Sequence, residues 1–150
     1  MADKLRWGIL ATGSIANQFA NGLKVSKTGE LAAVGSRTIE KATEFTDKHG
    51  GKPYASYQEV LDDPNVDAVY IATPHAMHSE WAIKCAEAGK AILCEKPFTL
   101  NAIEAEKALK VVKEKGVFFM EAFMYRCAPQ TRKLVELLGE KAIGKICAIN

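Results

Sequence analysis

Short apolar runs alternate along this chain with stretches of helical spacing, and that alternation limits its fold more than any other feature. The runs are "LRWGILA" (5–11), "LAAVGS" (31–36), "VDAVYIA" (66–72), "AILCE" (91–95) and "VFFMEA" (117–122). Their nearly continuous apolar character is what strands covered on both faces require. A piece at 52–55 is read as one further strand. Between the runs, Ile15, Phe19 and Leu23 fall on one helical face, as do Ala42 and Phe45 ahead of Gly50. Trp81, Cys85 and Ala88 mark a helix closed by Gly89, and Ala102, Ala105, Leu109 and Val112 mark another closed by Gly116. Glycine in those places supplies the left-handed backbone that ends a helix. Asn101 with Glu104 has the spacing of a capping box, and Pro129 suits the first turn of a last helix carrying Leu134, Leu137 and Leu138. Repeated strand–helix units with short links imply parallel strands joined by right-handed crossovers. The expected fold class is α/β, a doubly wound and mostly parallel sheet.

Bulk properties narrow the function. A chain of 150 residues suits one domain with a real core. Its net charge of +2 is small and dispersed, which argues against nucleic acid or an anionic membrane surface as partner. No apolar run approaches the ~18–20 residues of a membrane span. The start, MADKLRWGIL, moves from charges straight into a strand without the layout of a signal peptide, so a cytoplasmic protein is expected. Cys85, Cys94, Cys127 and Cys147 lack C-x-x-C spacing and are read as reduced, mostly structural thiols. The tail "GKICAIN" (144–150) begins another strand-like run.

Four stretches carry chemistry. "ATGSIA" (11–16) is a reduced form of the dinucleotide fingerprint G-x-G-x-x-G/A. Gly13 keeps the middle position, where backbone must approach a pyrophosphate, and Ala16 keeps the small third position. Ala11 replaces the first glycine, so a turn without positive φ is expected there. The following helix would offer its N-terminal amides to phosphates. In "GSRTIEK" (35–41), Ser36, Arg37 and Thr38 stand where an NAD-selective site carries an acid for the ribose 2′-hydroxyl. Arg37 can instead bind a 2′-phosphate bidentately, with Lys41 one turn on as a second charge. "ATPHAMH" (72–78) ends the strand after the expected switch point; His75 and His78 are too few for a zinc site, so no metal is expected. Lys96 in "ILCEKPFTL" (92–100) sits at another strand end on the same sheet edge. A lysine there can hydrogen-bond a substrate oxygen and stabilise negative charge that develops during hydride transfer. Each stretch also has a bland reading: a tight turn, a solvated helix start capped by Thr38, exposed loop histidines, a surface lysine.

Together, "WGILATGSIA", "VGSRTIEKA", "ATPHAMHSEWAIKCAEAGKAILCEKP" and "MEAFMYRCAPQ" resemble the Gfo/Idh/MocA (glucose–fructose oxidoreductase/inositol dehydrogenase) family in order and spacing. The E-K-P element with its upstream T-P-x-x-x-H is the most specific part. The Ser-Arg-Thr stretch and "MEAFMYR" resemble the NADP-preferring branch. The resemblance implies an isolated N-terminal NADP-binding Rossmann domain over 1–150, with about 141–150 as the start of an absent C-terminal domain. It implies that Thr12, Gly13, Ser14 and Ile15 line the pyrophosphate, and that Ser36, Arg37 and Lys41 bind the 2′-phosphate with Thr38 beside them. Tyr54 would flank the adenosine end. Thr73, Pro74, His75 and His78 would border the ribose and nicotinamide, with Glu95 and Lys96 beside the nicotinamide. Ala122 and Arg126 would approach from the last connection, and the Lys96–Pro97 peptide would be cis.

In such a family Lys96 is catalytic and works with an Asp and a His or Tyr from a second domain. A sugar, polyol or dihydrodiol substrate is therefore expected only with that domain, and the chain alone is expected to be inactive. The alternative is a stand-alone, non-catalytic NADP-binding or assembly module. Ile143, Ile146 and Ala148 alternate as a first strand of a next domain would, and an unpaired strand invites a homodimer.

Overall fold

The computed structural model describes residues 4–148. Six strands form one sheet: β1 (Leu5–Leu10), β2 (Gly29–Gly35), β3 (Lys52–Tyr54), β4 (Ala68–Ile71), β5 (Ala91–Cys94) and β6 (Phe119–Glu121). Their order is β3-β2-β1-β4-β5-β6, and every neighbouring pair is parallel. The helices are α1 (Ser14–Lys24), α2 (Ile39–His49), α3 (Tyr57–Asp62), α4 (His78–Glu87), α5 (Ala102–Lys115) and α6 (Pro129–Gly139). This is the doubly wound topology in which the strand order reverses between β1 and β4, opening a crevice at the carboxyl ends of those strands.

Both faces of the sheet are covered, as the apolar runs require. On one face Ile9, Val34 and Tyr70 meet Ala16 and Ala20 of α1 and Phe45 of α2. On the other, Leu10, Val69, Ile71 and Ile92 meet Val60 of α3, Trp81 and Cys85 of α4, and Ala108 and Val112 of α5. Asn101 caps α5 by accepting from the Glu104 amide at 3.0 Å, and Gly116 ends that helix with φ 65°. The thiols of Cys85 and Cys94 lie in the core, where burial pushes both up, while Cys127 and Cys147 are exposed.

Four details depart from the sequence reading. Helix α3 has six residues, too few to show a period, and was not anticipated. It sits close to the sheet because Gly8 and Gly35 carry no Cβ: one added at Gly8 would meet Val60 at 2.6 Å, and one at Gly35 would meet it at 2.9 Å. In α5 the buried positions are Ala108 and Val112, so Leu109 turns outward and Ala102 is exposed. Helix α6 starts at Pro129 as expected, yet buries none of its residues, so its leucines face no core. No strand forms at 144–148, and residues 149–150 of that expected run lie outside the described residues.

Candidate functional site

The carboxyl ends of β1, β2 and β4 open onto a groove of about 650 Å³. Seven residues singled out from sequence line it: Thr12 and Gly13 after β1, Ser36 and Arg37 after β2, Lys41 on α2, and Thr73 and Pro74 after β4. Sheet bonds carry these connections past the strand ends. Ala11 donates to the Gly35 carbonyl at 3.0 Å, and Ala72 donates to Leu10 at 3.1 Å.

The turn at the groove floor differs from expectation. Ala11 has φ 86°, so the backbone keeps the glycine-like geometry although a side chain stands there. Neighbouring strands hold both sides of the turn, and their bonds outweigh the local strain. Gly13 has no such φ; it caps α1 at φ −73°, with no side chain capping the helix. The first helix bond is from Asn17 to Gly13 at 3.1 Å, which leaves the amides of Ser14, Ile15 and Ala16 without intrahelical partners. Those amides and the helix dipole favour an anion. The Ile15 side chain itself packs into the α1 face of the core.

Charge at the groove is mostly positive. Arg37, Lys41 and Lys48 line it together with one acid, Glu44. Glu44 pairs with Lys48 at 2.8 Å, and that lysine holds its carboxyl below the usual range. Among the described residues, Arg37 and Lys41 enter no ion pair. Ser36 is buried and donates its amide to the Tyr54 carbonyl at 3.1 Å. Thr38 caps α2 without a side-chain bond and stands exposed beside Arg37. Thr73 is buried, and its hydroxyl has no hydrogen-bond partner among the described residues.

The second half of the sheet edge holds Glu95 and Lys96. Glu95 is buried and accepts from the Tyr70 hydroxyl at 2.6 Å and from the Lys96 amide at 3.2 Å. Burial first, and then this carboxylate, push the Tyr70 hydroxyl far up, so it remains a donor. Lys96 is exposed and precedes the cis bond to Pro97 that the resemblance implied. Ala122 follows β6 and donates to the Cys94 carbonyl at 2.8 Å.

Four further predicted residues are not among those lining the groove. The Tyr54 hydroxyl donates to Asp63 at 2.9 Å, with the Lys52 ammonium over its ring, so the side chain is engaged away from the groove. Arg126 lines a separate hollow with Phe119 and Phe123. His78 is buried with both ring nitrogens on backbone carbonyls, which leaves neither for a ligand. His75 is exposed in a short 3-10 turn ahead of α4.

With this geometry in place, known proteins give a direct comparison. The GFO_IDH_MocA family model, described as an oxidoreductase family with an NAD-binding Rossmann fold, matches residues 5–123. The chain belongs to this family. It is 41% identical over 145 residues to trans-1,2-dihydrobenzene-1,2-diol dehydrogenase of Mus musculus, covering 95% of this chain and 44% of that protein. It is also 41% identical to D-xylose 1-dehydrogenase (NADP(+)) of Hypocrea jecorina, covering 95% of this chain and 40% of that protein. A crystal structure of KijD10, a 3-ketoreductase from Actinomadura kijaniata in complex with NADP and TDP-benzene, superposes with a TM-score of 0.89 at 35% identity. That match covers 96% of this chain and 45% of that one. The chain thus spans less than half the length of these relatives.

The Gfo/Idh/MocA groove fits a dinucleotide on its own terms. Above Gly13 an added Cβ would meet nothing within 4 Å, so the backbone is open to a phosphate. The unpartnered Thr73 hydroxyl at the same groove is a polar group that needs a ligand or water.

Sequence reasoning missed Asn17, Glu44, Phe45, Lys48 and Met77, all of which line the groove. Asn17 donates to the Gly13 carbonyl at 2.9 Å and to Thr12 at 3.3 Å, bracing the fingerprint turn. Its amide oxygen lies 2.8 Å from the His49 ring. A polar residue one turn into an otherwise apolar α1 face was the available signal.

Proposed function

We propose that this chain is the NADP(H)-binding domain of an oxidoreductase that moves a hydride between nicotinamide C4 and a carbon of a sugar, polyol or dihydrodiol. The carrying observation is the end of β2, where Arg37 and Lys41 face the groove without an ion-pair partner among the described residues and Glu44 is already paired with Lys48. A 2′-phosphate supplies the charge those cations lack, whereas a ribose 2′-hydroxyl does not. KijD10, a structural neighbour, was crystallised with NADP, which supports the same choice.

The bound cofactor would supply the hydride. The protein's own part is to hold and orient it: uncapped α1 amides on the pyrophosphate, Ser36, Arg37 and Lys41 on the 2′-phosphate, Thr73 and Pro74 toward the nicotinamide half. Lys96, exposed at the edge beyond β5, would donate a hydrogen bond to the substrate oxygen and steady its negative charge. A lysine on an open edge lacks the preorganised partners that such chemistry requires. The relatives are more than twice as long, so a further domain would complete the site, and the chain alone is inactive on this reading. Among the described residues no helix is long and apolar enough to cross a membrane.

The test is Arg37→Asp. Charge-assisted contacts contribute ~1.5–3 kcal/mol each, so the variant should bind NADPH at least about tenfold more weakly and NADH no worse. Calorimetry in which both affinities stay unchanged would contradict the reading.

A further inference from the structure

His78, the first residue of α4, is 1% exposed, yet both of its polar atoms point at backbone rather than at other side chains. Nδ1 lies 2.8 Å from the Pro97 carbonyl, and Nε2 lies 2.8 Å from the Thr73 carbonyl. These carbonyls belong to the two connections leaving β4 and β5. Thr73 lines the groove with an unpartnered hydroxyl, and Pro97 directly follows Lys96. A carbonyl oxygen only accepts, so a ring that donates to both is the imidazolium, and a neutral ring keeps one of the two bonds.

The surroundings do not call for a polar ring. Trp81 and Ala82 follow on α4 and are buried, and an apolar residue of similar size would fill the same space. Burying two nitrogens costs free energy unless each makes a bond, and these two bonds close neither a helix nor the sheet ladder. Among the described residues, the Glu95 amide donates to the Ile71 carbonyl at 3.0 Å as the β4–β5 ladder ends. Beyond that point, among the described residues, the hydrogen bonds between the two connections run through the His78 ring.

We propose that His78 is a positioning residue: a two-armed link that fixes the β4 and β5 connections to each other and thereby sets where Thr73 and Lys96 stand. The proposal rests on the NADP(H) reading above. In a doubly wound fold the half-sheet β1–β3 takes the adenosine half of a dinucleotide and the half-sheet β4–β6 takes the nicotinamide half. The link therefore bears on the nicotinamide half and not on the adenosine half.

Two variants cut one arm each. In His78→Asn the amide nitrogen reaches the place of Nδ1 and can keep the Pro97 bond; in His78→Gln it reaches the place of Nε2 and can keep the Thr73 bond. Calorimetry would use two probes, NADPH and adenosine 2′,5′-bisphosphate, which is the adenosine half alone. Each variant should weaken NADPH roughly fivefold or more, the worth of one buried hydrogen bond, and leave the bisphosphate within about twofold. Unchanged NADPH affinity in both variants overturns the proposal. An equal loss for both probes also overturns it, because that is the signature of a fold loosened as a whole. Should the variants not fold, nitrogen NMR of the unmodified chain decides: a His78 ring nitrogen without a hydrogen bond overturns the two-armed link, and two hydrogen-bonded nitrogens support it. If the unmodified chain binds neither probe, the NADP(H) reading fails and the proposal falls with it. If the unmodified chain binds both and only the variants fail to discriminate, that reading stands and the link alone is refuted.

Discussion

Ala11 holds φ 86° in a turn where glycine would sit without strain. A side chain in that region costs on the order of 1 kcal/mol, so Ala11→Gly should raise stability by about 0.5 kcal/mol once the added freedom of the unfolded chain is deducted. Thermal unfolding checks it, and a lower midpoint would show that the turn is not strained. The sequence reading took the missing glycine as a sign of ordinary backbone, because one residue's type does not reveal the bonds on either side of it. The same limit explains His78. Its place beside a strand end was legible from "ATPHAMH", but the direction of its ring depends on carbonyls brought near by the fold. The position of Arg37 at the groove was legible, since a residue soon after a strand in a doubly wound sheet has one edge to occupy.

At the scale of elements, the alternation of apolar runs and helical spacing was enough for all six strands and for every helix except α3. Six residues span less than two turns and carry no readable period. What betrays α3 is Gly8, an interruption in a buried strand that marks a close approach. Gly8→Ala would drive a methyl into Val60 at 2.6 Å, between β1 and α3. A destabilisation of about 1–3 kcal/mol is expected from overpacking of this kind. Denaturant unfolding with a midpoint equal to the parent's would show that α3 yields without cost. The α5 stripe shifted from Leu109 to Ala108 for a similar reason: α4 packs closely against α5, and a small residue suits that contact better than a leucine.

An ion pair supplements the backbone ladder between β1 and the residue before β4. Arg6 reaches Asp67 through two guanidinium bonds of 2.9 and 2.6 Å, and its amide adds a third at 2.9 Å. The bonded guanidinium holds the Asp67 carboxyl down at about 2. A carboxyl lowered on folding gives stability that is full above its ordinary value and is lost as pH falls through the folded one. The loss therefore runs from about pH 4 to about pH 2. Both side chains are partly exposed, so screening reduces the contribution to about 1 kcal/mol. Asp67→Asn should flatten the acid limb of a stability–pH curve across that window. An unchanged slope would show that the pair contributes nothing.

At the scale of the whole molecule, the described residues form a six-stranded doubly wound sheet followed by a segment rich in exposed apolar residues. Leu134, Val135 and Leu137 of α6 are exposed, as are Ile143 and Ile146, and β6 is an edge strand. Pairing through a strand at 144–148 has no support, because those residues form none. The homodimer expected from sequence would have to use exposed apolar residues of α6 such as Leu134 and Val135 instead. Sedimentation at micromolar concentration should give a dimer, and Leu134→Lys with Val135→Lys should return a monomer. A monomeric parent would contradict it. How this end is covered was not legible, because periodicity shows that a helix has an apolar face without showing what meets it.

The measurement that bears most directly on the central claim is a paired titration of the unmodified chain with NADPH and NADH by calorimetry. Two cations on a 2′-phosphate should favour NADPH by about tenfold or more, and added salt should narrow the gap as the charges are screened. Equal affinity for the two cofactors, or a preference for NADH, would contradict the account.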